Sequence, residues 1–285
     1  MKKEAFEFFN SKKEVEHYND IYGDMDFSNT YPANSKRLDI FLSIINEINP
    51  KKIIDAGCGN GMPIVAMLKK GYLVEGYDKS ENMLIQAKKN IVKNGFNANI
   101  VDVGNFENPI HLENDSVDCI TGMGVFYYSK NMEAALIKQV SKLTSGGSMI
   151  FSLRNKLFDL ATVNEYTSRF LYELYDIKNK DKNTMSKFDK LAGFYDKPRD
   201  NLIKTIDNSN VYSSVHNPLN IDNLLKRVGL KKKSIYFYHY HALPPIFESY
   251  DPVSFRELSW SLEDSNDWRG HFLASNFIVH AIKTP

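Results

Sequence analysis

The chain has 285 residues, 42% hydrophobic and 25% charged, with a formal net charge of +1. That length buries a full core in one large domain or two small ones, and the balanced charge gives no general attraction for nucleic-acid phosphates. Its two cysteines, Cys58 and Cys119, make neither a disulfide framework nor a zinc site, and no apolar run reaches the roughly 18 residues of a membrane span.

The N-terminal stretch MKKEAFEFFNSKKEVEHYND is charged throughout and lacks the apolar core of a signal peptide, so a cytoplasmic location without a membrane partner is expected. From Lys51 to Leu153 the pattern repeats as strand, loop and helix. KKIIDAG reads as a first buried strand, PIVAMLKKG as a short helix, and YLVEGYD as a second strand ending on Asp78. SENMLIQAKKNIVKNG is a helix with Ser80 as N-cap and Gly95 as its stop. ANIVD and SVDCITGMG are the third and fourth strands. NMEAALIKQVSKLTSGG is a helix expected to close at Gly146 and Gly147, before a fifth strand, SMIFSLR. Strands alternating with helices of this length imply right-handed crossovers and an α/β fold, a mostly parallel sheet with helices on both faces. Ligands of such sheets sit at the carboxyl ends of the strands.

The remainder breaks this alternation. NIDNLLKRVGL is an amphipathic helix, and KKSIYFYHYH and HFLASNFIVHAIK are runs without a helix between them, so an antiparallel pair is expected at the sheet edge. Residues 155–218, rich in Tyr, Phe, Asp and Lys, form an insertion beside the strand ends. It is expected to cover a substrate; the alternative is a peripheral, solvated helix pair.

Three glycines stand at alternate positions in IIDAGCGNGMP: Gly57, Gly59 and Gly61. The loop they make runs from a strand into a helix, so backbone N–H groups face a ligand. The spacing is not the G-x-G-x-x-G of dinucleotide sites, and Asp55, just before it, would repel a pyrophosphate. A carboxylate there suits a ligand with a positive end, and S-adenosylmethionine carries both an ammonium and a sulfonium.

In order and spacing these residues resemble the class I S-adenosylmethionine-dependent methyltransferases, over residues 35–154 by motif and over the last 65 by topology. The resemblance implies a Rossmann-like sheet in a single domain, 1–285, with a leading helical cover over 1–50. It implies S-adenosyl-L-methionine as cofactor and S-adenosyl-L-homocysteine as product. Asp55, Gly57, Cys58, Gly59 and Asn60 then form the cofactor loop; Asp78, with Lys79, holds the ribose hydroxyls; Met83 lies beside the adenine; Asp102 and Val103 reach the adenine amino group. Met123 and Gly124 line the transfer centre. Tyr18 and Arg37 come from the leading region, with Arg37 near the cofactor carboxylate.

The segment after the fourth strand, GMGVFYYS, lacks the [N/D]-P-P-[Y/F] of base N-methyltransferases and the carboxylates of metal-dependent catechol-type enzymes, so no metal is expected. If the acceptor is a hydroxyl it needs a general base. His241 and His239, on one face of YFYHYHALPP, are the candidates; the alternative for each is an edge-strand histidine bonded to its neighbours. Substrate contacts are expected from Tyr127, Arg154, Asn155 and His216, with a surface salt bridge as the alternative for Arg154 and a core position for Tyr127. Cys119 is expected in the core and His280 in a structural place. The stretches SLRNKLFDLATVNEYT and YHYHALPP resemble methyltransferases of bacterial surface-polysaccharide gene clusters, implying a sugar, sugar phosphate or related small metabolite as acceptor. An RNA or protein methyltransferase and a catalytically inactive cofactor-binding subunit are the competing readings. The chain is expected to be a monomer or homodimer.

Overall fold

The computed structural model describes residues 5–20, 22, 26–109, 111–196, 211–264 and 266–285. Residues 197–210 of the expected insertion lie outside them. In chain order the elements are α1 (Ala5–Phe9), α2 (Lys12–Asp20), α3 (Ala33–Ile48), β1 (Ile53–Ala56), α4 (Met62–Lys69), β2 (Val74–Asp78), α5 (Glu81–Lys93), β3 (Val101–Val103), β4 (Val117–Gly122), α6 (Met132–Val140) and β5 (Leu143–Asn155). They continue with α7 (Glu165–Leu174), α8 (Lys182–Asp196), β6 (Val215–His216), α9 (Ile221–Arg227), β7 (Leu230–Tyr240), α10 (Pro252–Trp260), α11 (Gly270–Leu273) and β8 (Ala274–Lys283).

The main sheet runs β3-β2-β1-β4-β5-β8-β7, with the short β6 paired to β5. β1 through β5 pair in parallel, while β8 runs antiparallel to both β5 and β7. The order reverses at β1, which is where a doubly wound sheet opens a crevice at its strand ends. The alternation of the strands explains the two cores. Ile54, Ile120, Phe151 and Phe277 face one apolar cluster, and Ile53, Cys119, Ile150 and Ile278 face the other. β1 is buried at all four residues, as a central parallel strand must be. Cys119 is in the core as expected, and His280 is buried with Nε2 3.2 Å from Ser148 Oγ.

One boundary differs from the sequence reading. The helix expected to close at Gly146 and Gly147 stops at Val140, and both glycines lie inside β5. The strand enters the sheet through an irregularity, with the β4–β5 register shifting between Val117 and Cys119. A Cβ on Gly147 would stand 2.9 Å from Thr144 O and 3.1 Å from Asp118 O. Here glycine marks a close backbone approach within a strand and stops no helix.

Among the described residues, no helix is long and apolar enough to cross a membrane.

Candidate functional site

The loop after β1 is anchored to the end of β2. Gly57 N–H and Cys58 N–H both donate to Tyr77 O, at 2.8 and 3.0 Å. Asp78 receives Gly59 N–H on Oδ2 at 2.9 Å and Ser80 N–H on Oδ1 at 2.8 Å. Ser80 caps α5 as the sequence indicates, its Oγ accepting Met83 N–H at 3.2 Å. The glycines differ in duty. A Cβ on Gly61 would come within 2.9 Å of the Ala87 Cβ, so that glycine lets α4 and α5 meet. Gly59 has φ +53° and nothing within 4 Å of a Cβ, so it faces open space.

That space is a cavity of about 130 Å³. Twelve of the fourteen residues expected at the cofactor line it: Tyr18, Arg37, Asp55, Gly57, Cys58, Gly59, Asn60, Asp78, Lys79, Met83, Met123 and Gly124. Asp102 and Val103 do not. β3 is the edge strand and pairs Asp78 with Val103, which leaves both side chains exposed. The chain reaches the end of β2 one residue later, where Gly104 N–H donates to Asp78 O at 2.9 Å; Gly104 and Phe106 form this part of the wall.

The N-terminal helices close the cavity from above. Asn10, between α1 and α2, accepts from Ser80 Oγ at 2.9 Å and from Asn82 N–H at 3.2 Å, which binds this cover to the start of α5. Phe9 packs edge-on against Tyr18 and Tyr128, and Lys79 Nζ lies 5.0 Å over the Phe6 ring. Phe6 and Phe9 also line the cavity. Sequence reasoning missed them because α1 has only five residues, too few for a helical period to show.

The electrostatics are two-sided. Asp55 is 1% exposed, and burial pushes its carboxyl up to about 6 despite a 2.7 Å hydrogen bond from Thr121 Oγ1. Burial also raises Asp78. Arg37 is 7% exposed; it donates to Asn34 Oδ1 at 2.7 Å and Tyr22 Oη at 3.2 Å, while its Nε has no partner among the described residues. A buried N–H of this kind costs about 1–3 kcal/mol when left unmade. The cavity thus offers carboxylates, a cation with an unused donor, and bare backbone at Gly59. It fits a ligand with both charges and a hydroxyl-bearing part.

A second cavity of about 670 Å³ shares Tyr18, Arg37, Tyr127 and Tyr128 with the first. Its walls come from the end of β5, the segment through α7, the end of β7 and the turn at Pro245. Tyr127, Arg154, Asn155, His239 and His241 all line it. The Arg154 guanidinium lies 5.3 Å over the Tyr127 ring, and that of Arg169 lies 4.4 Å over Tyr166. Asp159, which also lines it, is pushed up to about 6 by burial. Asn155 is in the wall, but its amide is committed, donating to the carbonyls of Gly270, His271 and Ala274 while Oδ1 accepts Leu157 N–H. His216 lines neither cavity. Its Nε2 is 2.9 Å from Ser214 Oγ, and it faces a separate surface hollow with Ser129 and Arg227.

His239 and His241 behave differently from a regular strand pair. His239 has φ +61°, and His241 lies just past the end of β7. Their rings stack at 4.8 Å, with Tyr31 stacked outside His239 at 4.7 Å and Phe158 against His241 at 4.5 Å. His241 Nδ1 is 3.1 Å from the His239 carbonyl oxygen. Burial lowers His239 well below the usual imidazole range and lowers His241 to about 4. Among the described non-glycine residues with left-handed backbone, Asn49, Asp115, Asp176 and His239 are of types enriched there, and the β-branched Val163 (φ +54°) is not. Val163 and His239 both line the second cavity. Strain of this kind gathers at functional sites.

Comparison with known proteins bears on the family and the fold. The family described as a methyltransferase domain matches residues 49–216. An uncharacterized protein of Haemophilus influenzae is 34% identical over 114 residues, 39% of this chain and 45% of its own length. The ubiquinone biosynthesis O-methyltransferase of Pasteurella multocida is 27% identical over 139 residues, 46% of this chain and 57% of that protein. The chain thus matches about half the length of these relatives. The structure of magnesium protoporphyrin IX methyltransferase from Synechocystis PCC 6803 with bound SAH superimposes with a TM-score of 0.58 at 14% identity, covering 98% of both chains. A putative S-adenosylmethionine dependent methyltransferase from Listeria monocytogenes gives 0.53 at 17%, covering 88% of this chain and 98% of that one. At such identities the superpositions speak to the fold. The family match spans more than half of the sequence and includes the glycine loop and the strand ends around it: the chain belongs to the methyltransferase-domain family.

Proposed function

We propose that this methyltransferase uses S-adenosylmethionine and methylates a hydroxyl of a small molecule, a sugar, sugar phosphate or related metabolite. The observation that carries the reading is the pair of adjoining cavities with a common wall, one lined by Asp55, Asp78 and the glycine loop, the other by His241. In the first, Asp78 would hold the ribose diol, Asp55 the ammonium end and Arg37 Nε the carboxylate. When bound, S-adenosylmethionine supplies a methyl group on a sulfonium, which leaves as the neutral thioether. Tyr127 and Tyr128 form the shared wall and exclude water. In the second cavity His241 Nε2 takes the hydroxyl proton while the acceptor oxygen forms its new bond to carbon. His239 contributes its backbone carbonyl to His241.

A cavity of about 670 Å³ with aromatic faces and the guanidinium groups of Arg154 and Arg169 suits a compact polar acceptor with an anionic group. The similarity to a ubiquinone biosynthesis O-methyltransferase supports an oxygen acceptor. The setting in surface-glycan synthesis draws its support from the resemblance of SLRNKLFDLATVNEYT and YHYHALPP.

The test is a screen of sugars and sugar phosphates with S-adenosylmethionine, read by mass spectrometry as the gain of one methylene. It is run in EDTA, because among the described residues no group of three or more His, Cys, Asp or Glu is placed to hold a metal ion. Product is expected in EDTA. Product only after magnesium is restored would remove the metal-independent assignment, and methylated amines in place of hydroxyls would remove the acceptor class.

Cofactor binding is expected to depend on pH through Asp55. Its carboxyl stands near 6 in the free protein, and an ammonium group needs the ionised form. Above pH 6 the carboxylate is charged and affinity is level. Below it, affinity for S-adenosylhomocysteine should fall about tenfold per pH unit, which is 1.36 kcal/mol. Calorimetry at pH 5 and 7.5 reads this directly, with Asp55→Asn expected to flatten the profile. A wild-type profile already flat to pH 5 would show that Asp55 does not meet the ammonium.

A further inference from the structure

The left-handed turn at His239 needs an explanation that lies outside the cavities. A non-glycine residue with this backbone is uncommon and persists where its surroundings hold it there. The holder is Glu263, in the connection after α10, which lines neither cavity. Its Oε1 accepts His239 N–H at 2.7 Å and Tyr240 N–H at 3.1 Å, and also the Tyr31 hydroxyl. Two successive backbone N–H groups converging on one oxygen form an anion-binding nest, which a left-handed residue makes possible. Lys36 Nζ donates to Glu263 O at 3.2 Å, fixing the connection itself to α3.

The consequence appears two residues on. The turn directs the His239 carbonyl oxygen to within 3.1 Å of His241 Nδ1. A carbonyl oxygen has no proton to give, so Nδ1 must carry one, and in a neutral imidazole Nε2 then has none. The ring is neutral near pH 7, since burial lowers it to about 4. The backbone of His241 is fixed independently, its N–H donating to Leu273 O at 2.8 Å, and Phe158 packs on the ring. What remains is the His239 carbonyl, which also accepts from Ser275 Oγ at 3.3 Å and whose turn is held on the N–H side by Glu263.

We propose that Glu263 is a positioning residue: by gathering the N–H groups of His239 and Tyr240 it holds the left-handed turn, whose carbonyl keeps the His241 proton on Nδ1 and leaves Nε2 an acceptor facing the second cavity. The catalytic consequence rests on the proposed function; the tautomer does not.

The experiment therefore needs neither acceptor nor cofactor. The full chain is labelled with ¹⁵N-histidine, and the tautomer of His241 is read by NMR near pH 7.5. Its signals are assigned by their loss in His241→Gln. Wild type should show Nδ1–H, opposite to the Nε2–H preference of free histidine. Glu263→Gln, which keeps an acceptor oxygen in place, should retain Nδ1–H. Glu263→Ala should shift His241 to Nε2–H or to a mixture, with the loss of the protonated Nδ1 signal. The double variant His239→Gly/Glu263→Ala guards against loss of the fold, because glycine holds a left-handed turn without strain; it should recover Nδ1–H. A wild type with Nε2–H, a folded Glu263→Ala that keeps Nδ1–H, or a folded double variant that lacks it overturns the proposal. Turnover unchanged in His241→Ala would instead remove the base assignment and leave the role of Glu263 in setting the tautomer intact.

Discussion

His241→Ala is expected to lower turnover about 10²–10⁴-fold while affinity for S-adenosylhomocysteine stays unchanged. The imidazole lines the second cavity and not the glycine-loop cavity, so under the proposed function its loss should be felt in the step that removes the hydroxyl proton. Because burial lowers it to about 4, His241 is unprotonated throughout the neutral range. At saturating cofactor, turnover should hold steady down to about pH 5 and fall only as the pH approaches 4. An ordinary histidine base would already lose activity near 6.5. The contrast with His239 separates the two residues. His239→Gly keeps the backbone carbonyl and the left-handed turn, so turnover should stay within a few-fold of wild type. Thermal unfolding is measured alongside, since removing a 9% exposed ring packed on Phe158 lowers stability as well. If turnover per folded molecule survives in His241→Ala, the acceptor is a group that needs no base.

The glycine loop and the strand ends were legible because their signals are local. Asp55, Gly57, Gly59 and Gly61 stand within seven residues of one another, and Asp78 and Ser80 mark the end of β2 by residue type alone. The parallel order followed from alternating strands and helices; the antiparallel pairing of β7 with β8 holds as expected, although α10 and α11 lie between them where the sequence reading has no helix. The failures share a different cause. Asp102 reads as a strand-end acid, but β3 is the edge strand, and although Asp102 pairs with the buried Tyr77 it stays exposed and lines neither cavity. His216 reads as a third histidine for the site, yet β6 pairs with the last two residues of β5, Val215 with Arg154 and His216 with Asn155, and His216 lines another hollow. Asn155 reads as a free amide at a strand end and is instead committed to three carbonyls more than a hundred residues away. Glu263 was not visible at all. Its value lies in reaching the amides of His239 and Tyr240 across a connection of irregular structure, and no spacing in the sequence encodes that reach.

The same reasoning applies to Asp78, whose carboxylate has two duties. In the protein alone it accepts Gly59 N–H and Ser80 N–H, and so ties the glycine loop to the start of α5. A carboxylate has about four lone-pair sites, so beyond these backbone N–H groups it can still accept hydroxyls, here those of the cofactor ribose. Asp78→Ala should therefore weaken S-adenosylhomocysteine binding by about 1–3 kcal/mol for the charge-assisted bonds alone, roughly 5- to 150-fold, with a further loss as the loop relaxes. A simple loss of affinity does not separate these two effects, but a cycle with a ligand lacking the ribose hydroxyls does. If the carboxylate holds the diol, removing the hydroxyls should weaken binding to wild type and make little difference to Asp78→Ala, because the partner is already gone. If Asp78 acts only through the loop, the penalty for removing the hydroxyls will be the same in both proteins. Calorimetry on the four combinations measures the coupling. A value near zero would move the ribose to another part of the cavity and leave Asp78 as the anchor of the glycine loop, whereas a coupling above about 1 kcal/mol places the diol on its carboxylate.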